Sequence, residues 1–237
     1  MTCAKLCFTI KDSEAYVMIN RISEGRFVLA SMEADASDEN KCGDSLCACA
    51  LPDEKVALML SDGMGKGTVA AMESRRVIEE LRKLLKRGVA PSKAIKIVNE
   101  KLISDNEIFA TIDLAIIDKK KSTACFYKMG ATSSFLIRDK HVKKIERAAL
   151  PVGVVGKVSA SQIKVKLKSK DTMVIVSDGV TEADWQDLDC NWLKTYLKEL
   201  SREIGPRRMA TLIAKEAQRR YAFREKDDLS VLVVQIE

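Results

Sequence analysis

The sequence has little histidine, few aromatics and no long apolar run. His141 is the only histidine among 237 residues. No Cys-x-x-Cys pair occurs among the seven cysteines Cys3, Cys7, Cys42, Cys47, Cys49, Cys125 and Cys190. A structural zinc site needs several such ligands at short spacing, so zinc is not expected. An odd set of scattered thiols reads as buried, reduced side chains. Aromatic residues make up 5% of the chain, too few for a base-stacking surface, and a net charge of +6 is mild; no nucleic acid is expected. No apolar run approaches the roughly 18 residues of a membrane span. The first residues, MTCAKLCFTIKDSE, carry one Lys before Leu6–Ile10 and make a poor signal peptide. The chain is therefore expected in the cytoplasm, with no membrane contact of its own, and a longer membrane-anchored parent stays open. No internal repeat, low-complexity tract or linker interrupts it, so residues 1–237 read as one domain.

What is present is a soluble pattern of 46% hydrophobic and 31% charged residues, enough to bury a full core. Leu6–Ile10, Ala15–Ile22 and Phe27–Met32 read as strands, and Met32–Asn40 as a polar loop. Ser45–Leu51 and Val56–Leu60, separated by Pro52-Asp53-Glu54-Lys55, read as a hairpin. Thr68–Arg87 and a segment from Pro91 to Leu102 are helical, with Gly88 as a stop and Pro91 in a first turn. Thr111–Ile117, Thr123–Met129, Ser134–Arg138, His141–Ile145, Ile163–Leu167 and Met173–Val176 follow as strands. Lys164, Lys166 and Lys168 alternate with Val165 and Leu167, the pattern of a guarded sheet edge or of a face for an acidic partner. Residues 183–200 and 206–222 read as helices, and Leu229–Ile236 as a closing strand. Consecutive hairpins with separated helix pairs predict an α+β fold: two antiparallel sheets packed face to face and flanked by helix pairs.

The chemistry-bearing residues are aspartates at strand ends. The stretch Ser61–Gly67, SDGMGKG, follows the apolar run Val56–Leu60, and a second Ser-Asp-Gly closes Thr172–Gly179. Asp44 begins one arm of the hairpin and Asp62 ends the other, so the hairpin alone sets them side by side. Asp227 and Asp228 precede the last strand. Clustered carboxylates repel, by roughly 4 kcal/mol for two unit charges 4 Å apart at an effective dielectric near 20. Such a set calls for protons or hard divalent cations, magnesium or manganese. GMGKGT is not a phosphate loop: Leu60 stands where its first Gly belongs, and Gly67 follows Lys66 where Ser or Thr is required. His141, in the basic run RDKHVKK, is expected on an exposed hairpin without a catalytic role.

Residues 42–74 (CGDSLCACALPDEKVALMLSDGMGKGTVAAMES) resemble the start of the phosphatase domain of the stage II sporulation protein E family. Further matches are ATIDLAIID, MGATSSF, LPVGVV, SDGVTE and DDLSVLVV, in the family's order over about residues 42–237. That family belongs to the metal-dependent PP2C-like (PPM) serine/threonine phosphatases, whose αββα sandwich agrees with the architecture read from the pattern. The resemblance implies two Mn2+ or Mg2+ ions. It implies that Asp62 bridges them with help from the Gly63 carbonyl, that Asp178 and Asp227 hold one, and that Asp44 helps hold the other or its waters. Asp228 is the reserve for Asp227, and Lys66 is a candidate contact to phosphate. The implied substrate is a phosphorylated anti-anti-sigma factor, whose dephosphorylation would release a sigma factor in sporulation. A homodimer is compatible with this reading. The helices Thr68–Arg87 and Pro91–Leu102 would act as a switch on Asp62 and Asp44. Met64 stands where animal-type members carry a His acid, so the leaving group is expected to take its proton from water, at a low intrinsic rate. Two alternatives remain: a general-stress phosphatase of the same superfamily, and a catalytically silent sensor or interaction module.

Overall fold

In the computed structural model, the structure describes residues 20–21, 29–35, 42–65, 67–104, 109–156, 160–187, 189–200, 202–221 and 227–236. The expected strand Leu6–Ile10, most of Ala15–Ile22, and Cys3, Cys7 and Lys66 lie outside them. Among the described residues the strands are β1 (Asn20–Arg21), β2 (Leu29–Asp35), β3 (Asp44–Leu51), β4 (Lys55–Asp62), β5 (Ile112–Asp118), β6 (Thr123–Met129), β7 (Ser134–Arg138), β8 (His141–Ile145), β9 (Gln162–Lys166), β10 (Thr172–Val176) and β11 (Leu229–Gln235). The helices are α1 (Gly67–Lys86), α2 (Pro91–Ser104), the short α3 (Asp178–Thr181), α4 (Asn191–Glu199) and α5 (Gly205–Tyr221).

One sheet has the order β1-β2-β11-β10-β7-β8 and the other β3-β4-β5-β6-β9, and every neighbouring pair of strands is antiparallel. Alternate side chains of each strand point to opposite faces, so each sheet has two apolar faces to cover. The inner faces meet in one core that includes Leu58, Leu60, Phe126, Ile175, Leu232 and Val234. The outer face of the five-stranded sheet packs under α1 and α2, with Cys47 and Cys49 together on that side as their alternation implies. The outer face of the six-stranded sheet packs under α4 and α5. This is the expected αββα sandwich. β9 is an edge strand whose Lys164 and Lys166 are exposed, a row of charges that discourages pairing with another chain. His141 is exposed on β8, as expected.

Two expectations are corrected. The loop read from Met32 begins later: Met32–Asp35 belong to β2 and pair with Leu229–Leu232 of β11. A polar, acidic composition marks a loop locally, but the backbone ladder of a neighbouring strand carries the pairing on. The single helix read over 183–200 is also wrong, because the helical part starts only at Asn191. The Asp187 carboxylate accepts the Trp192 N–H, and Cys190 adopts a left-handed φ of 55°, so the chain turns before the helix begins.

Candidate active site

The hairpin does what its sequence implies. β3 and β4 pair in a register that sets Asp44 directly opposite Asp62. The turn is closed by Asp53 and Glu54, both at positive φ. Asp62 is fixed by Thr111, the residue just before β5: its N–H donates to Thr111 Oγ1 at 2.9 Å, and the Thr111 N–H donates to its carbonyl at 2.8 Å. Ser61 Oγ donates to the Thr111 carbonyl at 2.7 Å. Gly63 bridges to Ala110, which in turn bridges to Val152, so the segment at Ala110 is the inner member of a short three-stranded ladder and ties the site loop to the loop at Val152.

The second Ser-Asp-Gly arrives from the other sheet. Ser177 ties the end of β10 to the start of β11: its Oγ donates to the Asp228 carbonyl and accepts the Ser230 N–H at 2.9 Å. The Gly179 N–H donates to Asp178 Oδ1, and Tyr221 Oη donates to the Gly179 carbonyl at 2.8 Å. A side chain at Gly179 would collide with the Asp228 carbonyl, which is why only glycine fits there.

Asp62, Gly63, Asp178 and Asp227 thereby line one cavity of about 270 Å3, together with Met64, Gly65, Phe109, Ala110, Thr111 and Pro151. Asp44 lies beneath it, 3% exposed. The two acids before β11 have different roles. Asp227 is exposed and lines the cavity. Asp228 is buried, and its Oδ2 accepts the Gly43 N–H at 2.5 Å, across 185 residues of chain.

The electrostatics follow from burial and like charge. Asp44 is held well above the ordinary carboxylate range, first by burial and then by the charge of Asp62. Both its oxygens are buried without a hydrogen-bond partner; Ser230 sits near enough to favour the ionised form but not in bonding geometry. Asp62 is pushed up to about 7 by burial and by Asp178, Asp227 and Asp228. Asp178 is raised to about 6 by burial, Asp227 and Glu182. Carboxylates so placed suit an added cation. Among the described residues, no three His, Cys, Asp or Glu side chains already stand in closed metal-binding geometry.

Thr111, Asp113, Lys128 and Tyr221 were not singled out from the sequence. A signal was available for two of them. Asp113 and Lys128 are lone charges inside otherwise apolar strands, and they face each other in register.

The family of Stage II sporulation protein E (SpoIIE) matches residues 52–237. The chain is 34% identical over 201 residues to the stage II sporulation protein E of Bacillus subtilis (strain 168), covering 82% of this chain and 24% of that protein. It thus spans about a quarter of that relative's length. The structure of the PP2C phosphatase domain with a fragment of the regulatory domain of SpoIIE from Bacillus subtilis superposes with a TM-score of 0.82 at 29% identity, covering 95% of this chain and 72% of that one. RsbX in complex with magnesium shares the fold, at a TM-score of 0.69 and 16% identity, over 94% of this chain and 100% of its own. With the fold, the hairpin of facing aspartates and a match over most of its length in agreement, this chain belongs to the stage II sporulation protein E family and has the PP2C-type phosphatase architecture.

Proposed function

We propose that the chain is a manganese- or magnesium-dependent protein serine/threonine phosphatase that dephosphorylates an anti-anti-sigma factor and so releases a sigma factor in sporulation. The observation that carries this reading is the facing pair Asp44 and Asp62, with both Asp44 oxygens buried and unpartnered, below a cavity that Asp178 and Asp227 complete. An all-oxygen donor set selects hard divalent ions. Asp62 and the Gly63 carbonyl would hold both of two ions, Asp178 and Asp227 one of them, and Asp44 the other or its waters. Such ions, when bound, lower the pKa of water and offset the charge of a phosphoryl group.

The chain's own residues supply position. Thr111 and Ser61 keep Asp62 aimed into the cavity. The Ser177 bonds hold β10 and β11 together at the point where Asp178 and Asp227 emerge. Met64, Phe109, Ala110 and Pro151 form an apolar wall beside the acids. The seryl or threonyl oxygen would take its proton from water. This fits the Met64 departure and a low intrinsic rate.

The test is phosphate release from a phosphorylated anti-anti-sigma factor with manganese present. Asp62→Asn and Asp178→Asn should each lower kcat about 100-fold or more. Wild-type rates in both variants would overturn the reading, and a chain that binds no millimolar manganese by calorimetry would be a silent module instead. Replacing the substrate with a phosphorylated general-stress antagonist protein separates the sporulation from the stress pathway.

A further inference from the structure

Among the described residues, one ion pair is wholly buried and plays no part in the chemistry above. Lys128 of β6 and Asp113 of β5 stand opposite each other, both side chains 0% exposed. The Lys128 ammonium donates to Asp113 Oδ2 at 2.5 Å, to Ser134 Oγ at 2.8 Å and to the Thr132 carbonyl at 2.5 Å, so all three of its protons are placed. The Ser134 hydroxyl in turn donates a hydrogen bond to Asp113 Oδ2 at 2.7 Å. Ser134 begins β7 of the opposite sheet, so the knot spans the sandwich.

From there a path of hydrogen bonds reaches the site. Thr132 lies in the β6–β7 connection, and its hydroxyl meets Thr181 Oγ1 at 2.9 Å. Thr181 Oγ1 gives its proton to the Asp178 carbonyl at 3.1 Å, so Thr132 is the donor in the first of these two bonds. The same connection, Gly130–Thr132, walls a water-sized space together with Asp62, Thr111, Ser177 and Asp178.

A buried ion pair is a poor source of stability, because desolvation offsets most of the attraction and an apolar pair of like volume often does as well. Its distinctive property is direction: an ammonium with three fixed acceptors fixes all three. We propose that Lys128 is a positioning residue, which anchors Thr132 so that the Thr132–Thr181 hydroxyl pair sets the place of Asp178 relative to Asp62. This rests on the reading of Asp62 and Asp178 as metal-holding acids.

The test uses the full chain and three variants: Thr132→Val, Thr132→Ser and the double Lys128→Met/Asp113→Leu. Manganese affinity is read by calorimetry, kcat and KM on the phosphorylated substrate protein, and Tm by thermal unfolding. Thr132→Val should weaken manganese binding about 10-fold and lower kcat with KM unchanged, at a near wild-type Tm, as expected for a supporting contact. Thr132→Ser, which keeps the hydroxyl, should restore both. The double variant removes the two charges together, so no buried ion is left alone. It should keep its Tm yet lose at least as much manganese affinity as Thr132→Val. Wild-type affinity in Thr132→Val overturns the inference even where the double variant does not fold. So does a loss in Thr132→Val that serine does not restore. If the wild-type chain itself binds no manganese, the reading of the site falls and this inference with it. If it binds manganese and the variants bind it equally well, this inference alone falls.

Discussion

Asp227 and Asp228 are adjacent and chemically identical, yet the fold separates their roles. The exposed Asp227 faces the cavity, while the buried Asp228 receives the Gly43 N–H. Asp227→Asn should therefore weaken manganese binding without lowering the Tm of the metal-free chain. Asp228→Ala leaves the buried Gly43 N–H unsatisfied and should cost about 1–3 kcal/mol, read by chemical denaturation. The reverse pattern would show that Asp228 is the ligand. The raised carboxyls also make stability depend on pH. Asp62 sits at about 7, Asp178 at about 6 and Asp44 well above its ordinary value, so the folded chain holds more protons than the unfolded one across this range. Their stabilising contribution is fully present below the ordinary carboxylate range and is lost as pH rises through the folded values. Without divalent ions, Tm should fall by several degrees between pH 5 and pH 8, and manganese at pH 8 should recover it. A flat profile would mean that neither burial nor mutual repulsion raises these acids in the folded chain.

At the scale of elements, α1 is wedged against the two glycines next to the paired aspartates. A side chain at Gly63 would run into the Ala70 backbone, and one at Gly43 would meet Ala70 Cβ at 3.0 Å. Ser45 and Ser74 hydroxyls join β3 to α1 at 2.8 Å. The small residues Ala70, Ala71 and Ser74 extend the buried stripe of Val77, Ile78, Leu81 and Leu85 towards the site. Their small side chains let the helix come close to both glycines. α2 reaches the cavity's other side through Asn99, whose amide donates to the Val155 carbonyl and accepts the Gly153 N–H, both at 2.9 Å. These contacts support the proposed switch role of both helices. Gly63→Ala should force α1 away, lowering manganese affinity and speeding hydrogen exchange across residues 67–104. In the wild type, manganese should slow exchange in the same helices, and unchanged protection would argue against a switch.

At the scale of the molecule, three apolar layers separate two sheets and two helix pairs, and the site lies at one end of the middle layer's hairpins. Phe126, wholly buried in that middle layer, tests how far this core is independent of the chemistry. Phe126→Ala should cost about 3–5 kcal/mol in denaturant unfolding. Where the variant stays folded, its manganese affinity should remain near wild type.

Much of this architecture was legible in the chain. Thr123–Met129, Ser134–Arg138 and His141–Ile145 are strands with the boundaries expected of them. The pairing of Asp44 with Asp62 follows from a turn signal between two apolar runs, since a hairpin is local. Local pattern could not show that β10 lies between β7 and β11, because strand order is chosen by how the apolar faces pack, not by periodicity. That order brings Asp178 beside Asp227, and the packing of the two sheets gives Asp228 to Gly43 and carries Lys128 into contact with Ser134. The aspartates and their hairpin were set by sequence. Their convergence into one site, and the division of work between neighbouring acids, were decided by contacts between distant residues that form only when the two sheets close.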